Sequence, residues 1–138
     1  MLLKEFEKRW LSVFAESVPK QRLEECMRCG HYIWHVFSFE LLPAEDYLEG
    51  DEAEAAYESL SVKERENALF IKPFAGKKPE TFSLKYGDSG AERLNRLTEI
   101  YVAAKDFSWT YIKTHETDWC GPYFCRKKKS DITGERRK

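Results

Sequence analysis

Apolar residues at Leu3, Phe6, Trp10, Val13 and Phe14 recur at three- and four-residue steps with charges between them, the spacing of an amphipathic helix. Pro19 interrupts the pattern and suits the first turn of a second helix. That helix places Leu23, Cys26 and Met27 on one side and stops at Gly30. His31 to Phe39 is dense in aromatic and branched residues and short for a helix, so it reads as a largely buried strand. Pro43 and its acidic neighbours make a connection. Asp51 with Glu54 is a capping-box pattern that opens a helix through Tyr57 to Leu60, and Ser61 with Glu64 repeats it.

Ala68 to Phe74 reads as a strand, ended by Pro73 and Gly76. Thr81 to Tyr86 alternates Phe82, Leu84 and Tyr86 against Thr81, Ser83 and Lys85, as a half-buried strand does. Gly87-Asp88-Ser89-Gly90 is turn chemistry, and Ser89 with Glu92 starts a helix through Leu97. Ile100 to Ala104 and Phe107 to Thr114 are two more strands, and Lys105-Asp106 has the length of a two-residue hairpin. Helices do not alternate strictly with strands. The expectation is an α+β fold: a single domain over residues 1–125, with a mostly antiparallel or mixed sheet of about five strands and helices packed on one face.

A length of 138 residues suits one domain, and 42% hydrophobic against 34% charged residues is a globular balance. The net charge of −1 is unevenly placed. From Arg126 to Lys138 there are seven basic residues and two acidic ones, a balance of +5 that leaves −6 on the first 125. Residues 126–138 therefore read as a basic, disordered tail. Glu40 to Glu66 holds ten acids against Lys63 and Arg65, a local −8. An acidic body argues against nucleic acid as the main ligand. The first turns mix both charge signs, unlike a secretory signal, and no apolar run is long enough to cross a bilayer. A cytoplasmic protein with reduced thiols is expected.

Cys26 and Cys29, before Gly30 and His31, resemble half of a zinc knuckle, with Cys120 and Cys125 as the other two ligands. The four residues between Cys120 and Cys125 depart from that pattern, and Cys26 falls on the buried side of its helix. Zinc is the lesser reading; no cofactor is expected. On a regular strand His31 and His35 would lie about 13 Å apart, too far to share a metal. Thr114 to Trp119 gathers a His, two carboxylates and two hydroxyls where loops carry function. It supports a metal-assisted or Cys/His-dependent hydrolase in the loop from His115 to Phe124. There His115 is the base, Glu116 orients it or binds a metal, and Cys120 is nucleophile or ligand. The favoured class is different: an interaction module that holds a partner protein on an acidic, aromatic face. Aromatics make up 14% of the chain, and Trp34, His35, Trp109, Trp119 and Tyr123 are its candidate binding residues.

Trp34-His35-Val36-Phe37-Ser38-Phe39-Glu40, the helix start Gly50-Asp51-Glu52-Ala53, and Asp106 to Glu116 continuing through Trp119-Cys120-Gly121-Pro122-Tyr123-Phe124 resemble the bacterial domain-of-unknown-function family 4275. The resemblance covers residues 30 to 125. It implies a small soluble bacterial protein and no particular reaction. It includes His115, Glu116, Cys120 and Gly121-Pro122 and leaves out Cys26 and Cys29, which weakens the zinc knuckle.

Overall fold

The computed structural model describes residues 1–28, 32–74, 76–84, 89–116 and 119–127. Its helices are α1 (Leu3–Phe14), α2 (Lys20–Met27), α3 (His35–Ser38), α4 (Asp51–Glu58), α5 (Val62–Glu66) and α6 (Ala91–Leu94). Its strands are β1 (Tyr47–Glu49), β2 (Leu69–Ile71), β3 (Ile100–Ala103), β4 (Trp109–Lys113) and β5 (Tyr123–Arg126). They form one sheet in the order β1-β5-β4-β3-β2 with every pair antiparallel. The α+β class and the antiparallel sheet of five strands are as expected.

Every residue of β3 and β4 is buried, so both faces of the sheet are covered. On one face Tyr101, Ala103, Ile112 and Tyr123 pack against Phe6, Trp10 and Phe14 of α1 and Val36 and Phe37 of α3. On the other, Ile100, Val102, Trp109, Tyr111 and Phe124 meet Ala53 and Tyr57 of α4 and Leu94 of α6. The helices thus lie on both faces rather than one, because the central strands are apolar at odd and even positions alike.

Two of the expected strands are replaced. The described part of 31–39 is a single helical turn, in which Ser38 N–H donates to Trp34 C=O at 3.2 Å and Phe39 N–H to His35 C=O at 2.8 Å. The turn brings Trp34, Val36 and Phe37 into one core, whereas strand alternation would send Val36 to the opposite face from its neighbours. Between 81 and 84 there is one bridge, with Phe82 and Phe70 exchanging N–H···O bonds of 2.9 and 3.2 Å, and Lys85 and Tyr86 lie outside the described residues. β1 and β5 take the two places. Tyr47↔Cys125, Leu48↔Phe124 and Glu49↔Tyr123 pair a segment that reads as connection with one that follows a proline.

Local signals fared unevenly. The Ser61–Glu64 capping box forms, with Glu64 N–H donating to Ser61 Oγ at 3.0 Å and Ser61 N–H to Glu64 Oε1 at 3.2 Å. At α4 the cap is Gly50 rather than Asp51; its φ of +68° favours glycine, and its N–H donates to Pro122 C=O at 2.8 Å. The α6 helix begins after Gly90, ends at Leu94 rather than Leu97, and gives its first N–H to the Glu58 carboxylate. The β3–β4 hairpin is longer than two residues. Phe107 N–H closes a turn on Ala104 C=O at 2.8 Å, and Phe107 itself takes φ +56°. Lys105-Asp106 lacks the glycine that a two-residue turn favours, so the left-handed step falls one residue later.

One buried bond ties α1 to the sheet. Trp10 Nε1 donates to Thr110 Oγ1 at 2.8 Å, and that hydroxyl donates to Val102 C=O at 2.6 Å. Replacing Thr110 by the isosteric Val strands the Trp10 donor, so a loss of about 1–3 kcal/mol is expected in urea unfolding with an unchanged m-value.

Candidate functional site at the end of strand β4

Strand β4 ends at Lys113 opposite Ile100, so the antiparallel register brings Glu99, just ahead of β3, beside the chain that leaves β4. The Glu99 side chain has no exposed surface. Its Oε1 accepts the His115 backbone N–H at 2.9 Å and meets His115 Nδ1 at 2.6 Å, and its Oε2 accepts the Tyr101 hydroxyl at 2.7 Å. An ionised carboxylate only accepts hydrogen bonds, so against ionised Glu99 the neutral tautomer that fits carries its proton on Nδ1 and leaves Nε2 as the acceptor. Nε2 lies 3.7 Å from Glu116 Oε2, and the imidazole is 27% exposed. Tyr32, Trp34 and Phe74 surround it at centroid distances of 4.9, 5.6 and 5.7 Å.

Beyond His115 the loop is held by its own bonds. Thr114 Oγ1 donates to Cys120 C=O at 2.9 Å and accepts Glu116 N–H at 3.2 Å. Trp119 and Cys120 N–H groups both donate to Glu116 C=O at 2.8 Å. Gly121 N–H reaches back to Glu49 Oε2 on β1 at 3.1 Å. At φ +81°, with a hypothetical Cβ only 3.1 Å from Thr114 Cγ2, position 121 requires glycine.

This arrangement sets Trp119 on the lip of a groove of about 530 Å³ walled by Phe37, Leu42, Pro43, Tyr47 and Tyr123, with Ser38, Glu40 and Glu49 also lining it. Trp119 is 87% exposed. Cys120 lies in the same wall. Burial pushes its thiol up from the ordinary value, against weaker hydrogen bonds from Tyr123 and Thr114 that pull it down. That direction disfavours a resting thiolate.

The other candidates are distributed through the core. Trp34 and His35 are buried, and Trp34 Nε1 and His35 Nδ1 have no hydrogen-bond partner among the described residues. Burial pulls His35 down from the ordinary imidazole value, outweighing Glu116, a backbone hydrogen bond at Cys26 and Glu99. Trp109 sits between Tyr57 and Phe124 at 5.9 and 6.2 Å, and Tyr123 stacks on Phe37 at 4.6 Å. Cys26 and Cys125 are both buried, with Cys125 Sγ directed at Asp46 C=O at 3.5 Å. Cys29 and His31 lie outside the described residues. Among the described residues no group of three or more His, Cys, Asp and Glu is placed to hold a metal ion.

Glu99, Tyr101, Tyr32 and Phe74 escape a reading of the sequence alone. A signal for Glu99 existed: strand alternation puts it on the same face as Tyr101, at the head of an otherwise apolar strand. A further carboxyl belongs to this neighbourhood. Burial raises half-buried Glu7 of α1 from its ordinary value of 4.5 to about 7, against the opposing pull of Lys4. Glu7, together with burial and the more influential Glu99, also raises the Tyr101 hydroxyl.

A five-stranded antiparallel sheet between helices, with a histidine-bearing loop at one end, defines a small α+β protein. Among the described residues no helix is long and apolar enough to cross a membrane. The chain belongs to the family described as Domain of unknown function (DUF4275), whose model matches residues 3–124. No curated protein and no solved structure matches it.

The Glu7 carboxyl holds its proton more tightly folded than unfolded. As pH rises from 4.5 to about 7 the unfolded chain ionises first, and Glu7 lowers stability across that window. Glu7→Gln should match the wild type at pH 4 and exceed it by about 1 kcal/mol at pH 8, after discounting for partial exposure. Denaturant midpoints at the two pH values measure the difference.

Proposed function

We propose that the protein is an interaction module that holds a basic segment of a partner protein, carrying an aromatic or aliphatic anchor, in the groove beside Trp119. The observation that carries this reading is the 87% exposure of Trp119 at the lip of that groove. Large aromatic side chains are enriched among the anchors of interfaces. The N–H groups of Trp119 and Cys120 donate to Glu116 C=O and that of Gly121 to the Glu49 carboxylate, bonds that lower the ordering cost of binding at Trp119.

Charge and polarity favour a basic occupant. Glu40 and Glu49 line the groove, Glu45 and Asp46 lie in the turn that leads into β1, and the stretch from Glu40 to Glu66 carries −8. Glu40 takes φ +57°, an unfavourable setting for a residue other than glycine. Such outliers cluster at functional sites.

Selection of a displayed random-peptide library on the full-length chain tests the reading. Peptides with Lys or Arg beside an aromatic or aliphatic residue should be enriched, and Trp119→Ala should weaken them at least tenfold. Trp119→Ala should change stability by less than about 0.5 kcal/mol, the usual range for an exposed site. No enrichment, or enrichment indifferent to Trp119→Ala, would overturn it.

A further inference from the structure

We infer that His115 is a catalytic base for the hydrolysis of small planar carboxylic esters, with Glu99 as its positioning residue. This goes beyond the interaction reading and does not rest on it. The pairing of His115 Nδ1 with Glu99 at 2.6 Å fixes the tautomer, and the Tyr101 hydroxyl on the second carboxylate oxygen fixes Glu99 in turn. Both of these partners are buried, so the ring arrives at the surface already oriented. Nε2 is left as the proton acceptor. Its nearest acid, Glu116 Oε2 at 3.7 Å, is beyond a good hydrogen bond yet near enough to stabilise the imidazolium once it forms.

The surroundings select the substrate. Tyr32 and Phe74 flank the imidazole and offer flat apolar surface. Phe74 and Glu99 also line an adjoining cavity of about 200 Å³ that includes Lys72, Leu97 and Thr98. Pockets for drug-sized ligands run from roughly 300 to 1,000 Å³, so a cavity of this size suits a small acyl or aryl group. The titratable neighbours of His115 are Glu99, Glu116, His35, Tyr32 and, through Tyr101, Glu7. Burial keeps His35 from competing for the proton.

In the step, a water molecule gives one proton to Nε2 as its oxygen bonds to the carbonyl carbon. The tetrahedral adduct collapses, the bond from carbon to the leaving oxygen breaks, and that oxygen takes the proton back from Nε2. The products are a carboxylic acid and an alcohol or phenol, and nothing is oxidised or reduced.

The probe is 4-nitrophenyl acetate with the full chain. The wild type should hydrolyse it at least tenfold faster than free imidazole at equal concentration, and His115→Gln should remove that excess. Glu99→Gln should lower the rate about tenfold and displace its pH profile, a change that a purely structural carboxylate would not produce. Should that variant fail to fold, diethyl pyrocarbonate on the wild type replaces it: modification of His115, mapped by mass spectrometry, should abolish the excess in step. A wild-type rate no faster than imidazole, an unaffected His115→Gln, or activity that survives carbethoxylation of His115 would each overturn the inference. Peptide binding in the groove is read separately, so either reading fails alone.

Discussion

A carboxylate without exposed surface must be met by donors, because an ionised group taken out of water unpaired costs several kcal/mol. Glu99 meets that demand with the His115 backbone N–H, the His115 ring and the Tyr101 hydroxyl. Two of the three donors belong to the first residue of the loop that leaves the sheet after Thr114. Satisfying the carboxylate therefore also sets where that loop begins and which way its imidazole points. Thr114, Glu116 and Glu49 then hold the remainder, through bonds to Cys120, Trp119 and Gly121.

The sheet makes this arrangement possible. With β3 and β4 buried on both faces, the ends of the strands are the natural places for polar chemistry to reach solvent. The loop after β4 offers two surfaces there. His115 lies among Tyr32, Trp34 and Phe74. Trp119 stands over the groove formed by the α3 turn, the approach to β1 and the start of β5. An acidic, aromatic groove and a histidine backed by a carboxylate are separate devices at one end of the sheet.

Periodicity revealed the elements whose neighbours are close in sequence. The helix α1 shows its face at Leu3, Phe6, Trp10 and Phe14, and the Ser61–Glu64 box marks α5 with four residues. The strands β3 and β4 are long apolar runs joined by a short turn. The segment around Trp34 to Phe39 misleads because aromatic density is common to strands and to buried single turns, and only the surrounding core decides between them. β1 and β5 are short; β5 pairs with β4, and β1 becomes a strand only by pairing with β5, a contact between residues some 75 positions apart that no local pattern carries. The site follows the same division. His115, Glu116 and Trp119 stand out by residue type, whereas Glu99 becomes a partner of His115 only through the β3–β4 register.

The protonation of the His115 ring tests the dependence on Glu99 most directly. Long-range nitrogen–proton correlation spectra of uniformly labelled protein at pH 8 separate the two neutral tautomers. A ring protonated on Nδ1, with Nε2 bare, is the expected result. A ring protonated on Nε2, or one exchanging freely between tautomers, would contradict a carboxylate that holds Nδ1 at 2.6 Å.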